Sequence, residues 1–134
     1  MFAVDHVREE FSLESSPPAL SHYTDAVRWG DLLFISGCVA LDGTGDVVAP
    51  DDAASQARVV HQHLAAALRA AGTNFAHVLK VTVFLTDIKD RQAVNEVRKE
   101  FFGDSLPAST LVEVVALVLP GLVVEIEAVA GIPG

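Results

Sequence analysis

Hydrophobic and polar positions first fall into a clear pattern at Leu32. The run from Leu32 to Leu41, LLFISGCVAL, is apolar and β-prone enough to predict a strand. Asp42-Gly-Thr-Gly45 supplies the residues that tolerate positive φ in a reversal, and Asp46-Val-Val-Ala49 begins a return strand. Asp51 and Asp52 can each cap a helix over 53–71, where Val60, Leu64 and Leu68 recur every fourth position until Gly72 stops it. Phe75–Val78 reads as one short turn, and Lys80–Thr86 as a strand. Asp87-Ile-Lys-Asp90 offers another cap before a helix over about 91–102, with Val94, Val97 and Phe101 on one face and Gly103 at its end. Strands follow at roughly 108–118 and 122–130, joined at Pro120-Gly121. The expected order is ββαβαββ in a single domain, 1–134, with residues 1–20 as an extended lead-in ending at Pro17-Pro18.

Two helices cover only one face of such a sheet. A solvated opposite face would alternate with polar residues, and the strand at 108–118 does not. One alternating set holds Val112, Val114 and Val118; the other holds Leu111, Val115 and Leu117. The uncovered face is therefore expected to pack on something, and a second copy of the chain is the simplest occupant.

Composition sharpens this. Over half of the 134 residues (51%) are hydrophobic, and the mean hydropathy is +0.39. The longest apolar run, 114–124, is cut by Pro120-Gly121 and falls short of the roughly 20 residues a membrane-spanning helix needs. Acidic residues outnumber basic ones 18 to 9, a net charge of −9, which counts against nucleic acid and anionic membrane as partners. The amino terminus has no basic start before an apolar run, so no secretory signal is expected. Cys38 is the single cysteine, which excludes an internal disulfide and fits a reducing cytoplasm. Zinc is not expected without a cysteine pair, and the histidines lack ligand spacing: His61 and His63 are two apart on a helix and diverge.

Several stretches, in order, resemble the RidA/YjgF family of reactive-intermediate deaminases. They are Tyr23–Gly37 (YTDAVRWGDLLFISG), Val81–Asp87 (VTVFLTD), Asn95-Glu-Val, Phe101-Phe102, Pro107-Ala108 and Val124–Ala130 (VEIEAVA). The resemblance covers about 20–130. It implies a two-layer α+β fold like chorismate mutase, a homotrimer whose sheets meet in a central barrel, and ligand clefts between subunits. It also implies hydrolysis of enamines and imines, such as 2-aminoacrylate, to 2-oxo acids and ammonia, with no metal or organic cofactor.

One departure bears on chemistry. Active relatives read Pro-Ala-Arg-Ser, and that arginine grips the substrate carboxylate; this chain reads Pro107-Ala108-Ser109-Thr110. A guanidinium offers charge and paired donors, whereas a serine offers one neutral hydroxyl. Cys38, Leu111, Arg98 and the segment Leu117–Leu122 also differ from the common pattern.

Against that background each candidate residue has two readings. Glu125 and Glu127 alternate to one strand face, roughly 7 Å apart by strand rise. The resemblance makes Glu125 the catalytic carboxylate that orients water and exchanges protons; otherwise the pair is a solvated strand edge. Tyr23 either donates to or covers a ligand, or is an interface aromatic. Gly37 would present its backbone N–H to a substrate that no side chain obstructs. Cys38 is a cleft-lining or packing residue, with no adjacent base to make it a nucleophile. Asn95 is a cleft residue or a helix contact. Ser109 and Thr110 can form a neutral hydroxyl site but lack a His-Asp relay, and Leu111 makes the pocket more apolar. His22, beside Tyr23, is a possible proton carrier at the cleft mouth.

Two functions compete. One is a RidA-like hydrolase acting on a small enamine, imine or related C–N compound that is neutral or weakly charged, because Ser109 replaces the arginine. The other is a non-catalytic trimer that binds a small metabolite or a protein. Ribonuclease activity, a name attached to some relatives, is disfavoured by the charge and the lack of a basic stripe.

Overall fold

The computed structural model describes residues 6–134, so the first five residues of the expected lead-in lie outside it. Six strands, β1 (Arg8–Phe11), β2 (Ala26–Trp29), β3 (Leu32–Val39), β4 (Val78–Leu85), β5 (Ala108–Glu113) and β6 (Val124–Gly131), form one mixed sheet. Helices α1 (Ala53–Ala70) and α2 (Arg91–Phe102) pack on one face of it. The strand order is β1-β2-β3-β6-β4-β5, with β4 and β5 parallel and all other neighbours antiparallel.

Local chemistry sets the helix boundaries. The Asp52 carboxylate accepts from the Ser55 N–H at 3.0 Å, satisfying an otherwise orphaned donor of α1. Gly72, at φ +78°, turns the chain away beyond its end. Asp87 caps a short 3₁₀ turn through the Lys89 N–H, and Gly103, at φ +57°, closes α2. Val60, Leu64 and Leu68 of α1 and Val94, Val97 and Phe102 of α2 are buried against alternate residues of β3, β4 and β6. Phe102, rather than Phe101, is the buried member of its pair.

The amino-terminal part departs from ββαβαββ; the observed order is βββαβαββ. The main hairpin joins β2 to β3 at Gly30, whose φ is +60°. Asp42–Gly45 does reverse the chain, but the expected return strand at 46–49 reduces to an isolated Leu41–Val47 bridge. Val48 N–H reaches Ala40 O, after which the chain turns into α1. Part of the lead-in is a real edge strand, since β1 pairs with β2. The strand expected over 108–118 ends at Glu113. It is not joined to β6 as a hairpin either, because β4 lies between them.

The other face of the sheet is bare of helices. It presents Val27, Trp29, Phe34, Val112 and Val129 among Ser36, Lys80, Thr82 and Glu127, and Phe34 and Trp29 are each 48% exposed. Among the described residues, no helix is long and apolar enough to cross a membrane.

Candidate active site

Strand register divides the sequence-derived candidates between the two faces of the sheet. Glu125 pairs with Phe84 and Val39, and its side chain projects to the open face. Beside it the β3–β6 register slips between Ile35 and Cys38, so Ser36 and Gly37 form a bulge that breaks the regular ladder. Gly37 is required by this approach. A β-carbon there would lie 2.7 Å from Oε2 of Glu125, closer than real β-carbons come to other atoms. Tyr23, Ser21, Ser36, Val39 and Val118 complete a depression around Gly37 and Glu125. Burial raises the Glu125 carboxyl above its ordinary range, and the neighbouring Glu127 charge adds to the effect.

Cys38 points the other way. It pairs with Ile126 and faces a cavity beneath the sheet that Tyr23, Asp25, Gly37 and His63 also line. Burial, with the Asp25 and Glu125 charges, pushes its thiol up to about 12, so at neutral pH it is not a nucleophile.

A second group lies at the β5 edge, on the helix side. Ser109 stands beside the buried Val81, and Leu111 beside Val83, where it packs on the main core. Asn95 and Arg98 lie one turn apart on α2, and Arg98 bridges Asn95 to Ser109 across the gap. Arg98 Nη2 donates to Ser109 Oγ at 3.0 Å, and Nη1 to Asn95 Oδ1 at 3.4 Å. Asn95 and Arg98 line a cleft closed by Phe102, Leu106 and Pro107. Thr110 faces the open side of the sheet, where its hydroxyl accepts from Lys80 Nζ at 2.6 Å. His22 is exposed.

The structure therefore brings Tyr23, Gly37 and Glu125 together, and separately Asn95 and Ser109. The sequence marks Arg98 only as a departure from the common pattern. The spacing from Asn95 was legible; the reach across to Ser109 needed the packing of α2 on β5. Gln56 was not singled out at all. Its buried amide donates to Ala49 O and Gly121 O at 3.1 and 2.7 Å and accepts from Val123 N–H at 2.8 Å. That ties the loop carrying Val118 to α1.

Two helices on one face of a six-stranded sheet, with a half-buried glutamate against a glycine bulge, define a two-layer α+β protein of the chorismate-mutase-like YjgF type. Residues 13–132 match the family described as Endoribonuclease L-PSP, and the chain belongs to this RidA/YjgF family. It is 39% identical over 125 residues to a RutC family protein of Pyrococcus horikoshii, covering 92% of this chain and 98% of that protein. It is 38% identical over 124 residues to the 2-iminobutanoate/2-iminopropanoate deaminase of Mus musculus, covering 92% and 91%. A Rid family protein from Yersinia pestis has a closely similar structure, with a TM-score of 0.88 at 33% identity, covering 94% of this chain and all of that one (100%).

Proposed function

We propose that this chain is a single-domain, cytoplasmic hydrolase that releases ammonia from a small enamine, imine or related C–N compound, in clefts between the subunits of a homotrimer. The observation that carries this reading is the fit of Glu125 against Gly37. A partly desolvated carboxylate is held beside a break in the β-ladder, with an open depression in front of it. The similarity to deaminases that act on 2-imino acids points the same way.

In the proposed reaction, water attacks the carbon of the C=N bond and Glu125 takes one of its protons as the C–O bond forms. The proton passes to nitrogen, the C–N bond breaks, and a carbonyl compound and ammonia leave. An enamine first gains a proton on carbon to become the imine. The raised proton affinity of Glu125 suits a group that must both accept and return a proton. Gly37 N–H and the Thr110 hydroxyl would serve as donors, and Tyr23 would shape the cleft; Cys38 and Leu111, on the helix side of the sheet, would support it from behind. The reaction as drawn uses no metal or organic cofactor.

The split between faces supports a part for a second subunit. Glu125 and Ser109 occupy opposite sides of one sheet, and in a trimer a neighbouring chain would place its Asn95–Ser109 group in front of Glu125. On Ser109 alone the substrate would be neutral or weakly charged; Arg98, 3.0 Å from that hydroxyl, alters that expectation.

Coupled ammonia release tests the reaction, with 2-aminoacrylate and a panel of neutral enamines as substrates. Turnover of at least one is expected, with Glu125→Gln reducing it by about 100-fold or more. Ligand binding without turnover of any would overturn the hydrolase reading in favour of a non-catalytic binding trimer.

A further inference from the structure

The Ser36–Gly37 bulge has open space on both sides. In front lies the Glu125 depression. Behind it, on the helix side, is a separate cavity of about 40 Å³, and Tyr23, Ser36, Gly37 and Val39 line both. That volume admits about two or three water-sized guests and excludes a metabolite. The polar groups of its wall are acceptors. Asp25 takes the Leu13 N–H on Oδ2 at 2.7 Å, and its Oδ1 has no partner among the described residues. His63 Nε2 lies 3.0 Å from Leu41 O; a carbonyl only accepts, so Nε2 carries the proton and Nδ1 is left as an acceptor. The Cys38 thiol donates to Ser36 O at 3.5 Å, which leaves its sulfur lone pairs. Charge points the same way. Among the described residues only Asp25, Asp90 and Glu125 have side-chain carboxylates sheltered from full exposure, and the Asp25 and Glu125 charges both act on Cys38. No lysine or arginine among the described residues lines the cavity.

We propose that the cavity behind Gly37 is a second binding site, that its ligand is the ammonium ion, and that its occupancy feeds back on Glu125 across the bulge. Ammonium is water-sized, positively charged and a tetrahedron of N–H donors, which matches a small wall of acceptors around one carboxylate. Potassium has the charge and nearly the size but no hydrogen to donate, and a ring nitrogen and a thiol are poor ligands for it. That ammonium is also the reaction's product rests on the hydrolase reading: the ammonia released at Glu125 takes a proton from solvent. A cation held behind the bulge favours the charged carboxylate, so it lowers the proton affinity of Glu125 and slows a cycle that needs that group to hold a proton.

Binding is read without turnover by nuclear magnetic resonance of isotope-labelled protein, with ammonium chloride or potassium chloride replacing sodium chloride at fixed ionic strength. Ammonium should move the amide signals of Asp25, Gly37, Cys38 and His63 along one saturable curve, with potassium at least about 10-fold weaker. Asp25→Asn keeps an acceptor for Leu13 N–H but removes the charge, and should weaken ammonium by at least about 10-fold. In wild type, ammonium should also move the Glu125 limb of the pH–rate profile to lower pH, a shift that Asp25→Asn loses. No saturable response in wild type, the mark of a cavity that holds only water, would overturn the site. Equal responses to ammonium and potassium would do the same, and this comparison decides even if Asp25→Asn fails to fold. Undiminished ammonium binding by a folded Asp25→Asn would overturn it too. Ammonium binding by a protein that turns over no imine or enamine would overturn the hydrolase reading alone.

Discussion

The carboxylate of Glu125 occupies space that any side chain at position 37 would need: a β-carbon on Gly37 would lie 2.7 Å from Oε2 and 2.9 Å from Cδ. Gly37→Ala should therefore displace the flexible end of the Glu125 side chain, a shift that costs the fold little. The expected result is a loss of turnover of about 100-fold with little change in the urea midpoint. Retained turnover in Gly37→Ala would mean that the placement of Glu125 is immaterial.

His61 sets an acid limit on stability. Its ring is buried against Phe101, with ring centroids 5.0 Å apart, and Nδ1 lies 2.7 Å from Ala57 O. Nε2 has no partner among the described residues. Burial therefore lowers its pKa from 6.5 to about 4, and the folded protein keeps the ring neutral where the unfolded chain takes up a proton. A base depressed in this way stabilises fully above about 6.5, and that contribution is lost as pH falls toward about 4. Between pH 7.5 and 5.5 urea unfolding should show a loss of about 1 kcal/mol. His61→Leu should remove that slope, and an unchanged slope in the variant would assign it to another group.

Gln56 joins three separated backbone positions through one buried amide. The segment it holds includes Ala49 and Asp51, both at positive φ, a conformation that non-glycine residues adopt only when their surroundings enforce it. Gln56→Leu leaves the Val123 N–H without a partner, while Ala49 O and Gly121 O keep the N–H groups of Asp52 and Asp51, and it should cost about 2 kcal/mol in chemical denaturation. Turnover should also fall, because the released loop carries Val118 into the Glu125 depression. A variant as stable as wild type would show that water replaces the amide.

The helix-free face predicts assembly. Sedimentation should give three times the chain mass of 14.2 kDa. Phe34→Glu places a charge amid Val27 and Val129 and should shift the particle to a single chain. A wild-type monomer would refute the trimer.

The helices were legible because their buried residues repeat every three or four positions without interruption, from Val60 to Leu68 and from Val94 to Val97. β6, and β4 from Lys80 onward, were legible for a similar reason, since they alternate cleanly under the helices. β1 was not, because Arg-Glu-Glu-Phe at a sheet edge buries almost nothing and leaves no periodic mark. The return strand was overcalled from a turn signal that is real, because turn residues specify a reversal but not how far pairing runs beyond it. Insertion of β6 between β3 and β4 depends on contacts far apart in the chain, which local patterns do not encode. The candidate residues were named from resemblance; their division between two faces emerged only from register. Arg98 shows the limit most directly, since Ser109 read alone suggests lost charge and the helix opposite supplies one.

Opposite-face placement of Glu125 and Ser109 makes the proposed catalyst a property of the junction rather than of the chain. Specific activity should then fall as the protein is diluted below its assembly range, with every polypeptide still folded. Two crippled variants should also rescue each other. Subunits bearing Glu125→Gln retain an intact Arg98 edge, and those bearing Arg98→Gln retain an intact Glu125 depression. Mixed through dissociation and reassembly, the two create some junctions in which both halves are native, so a blend of two inactive preparations becomes active.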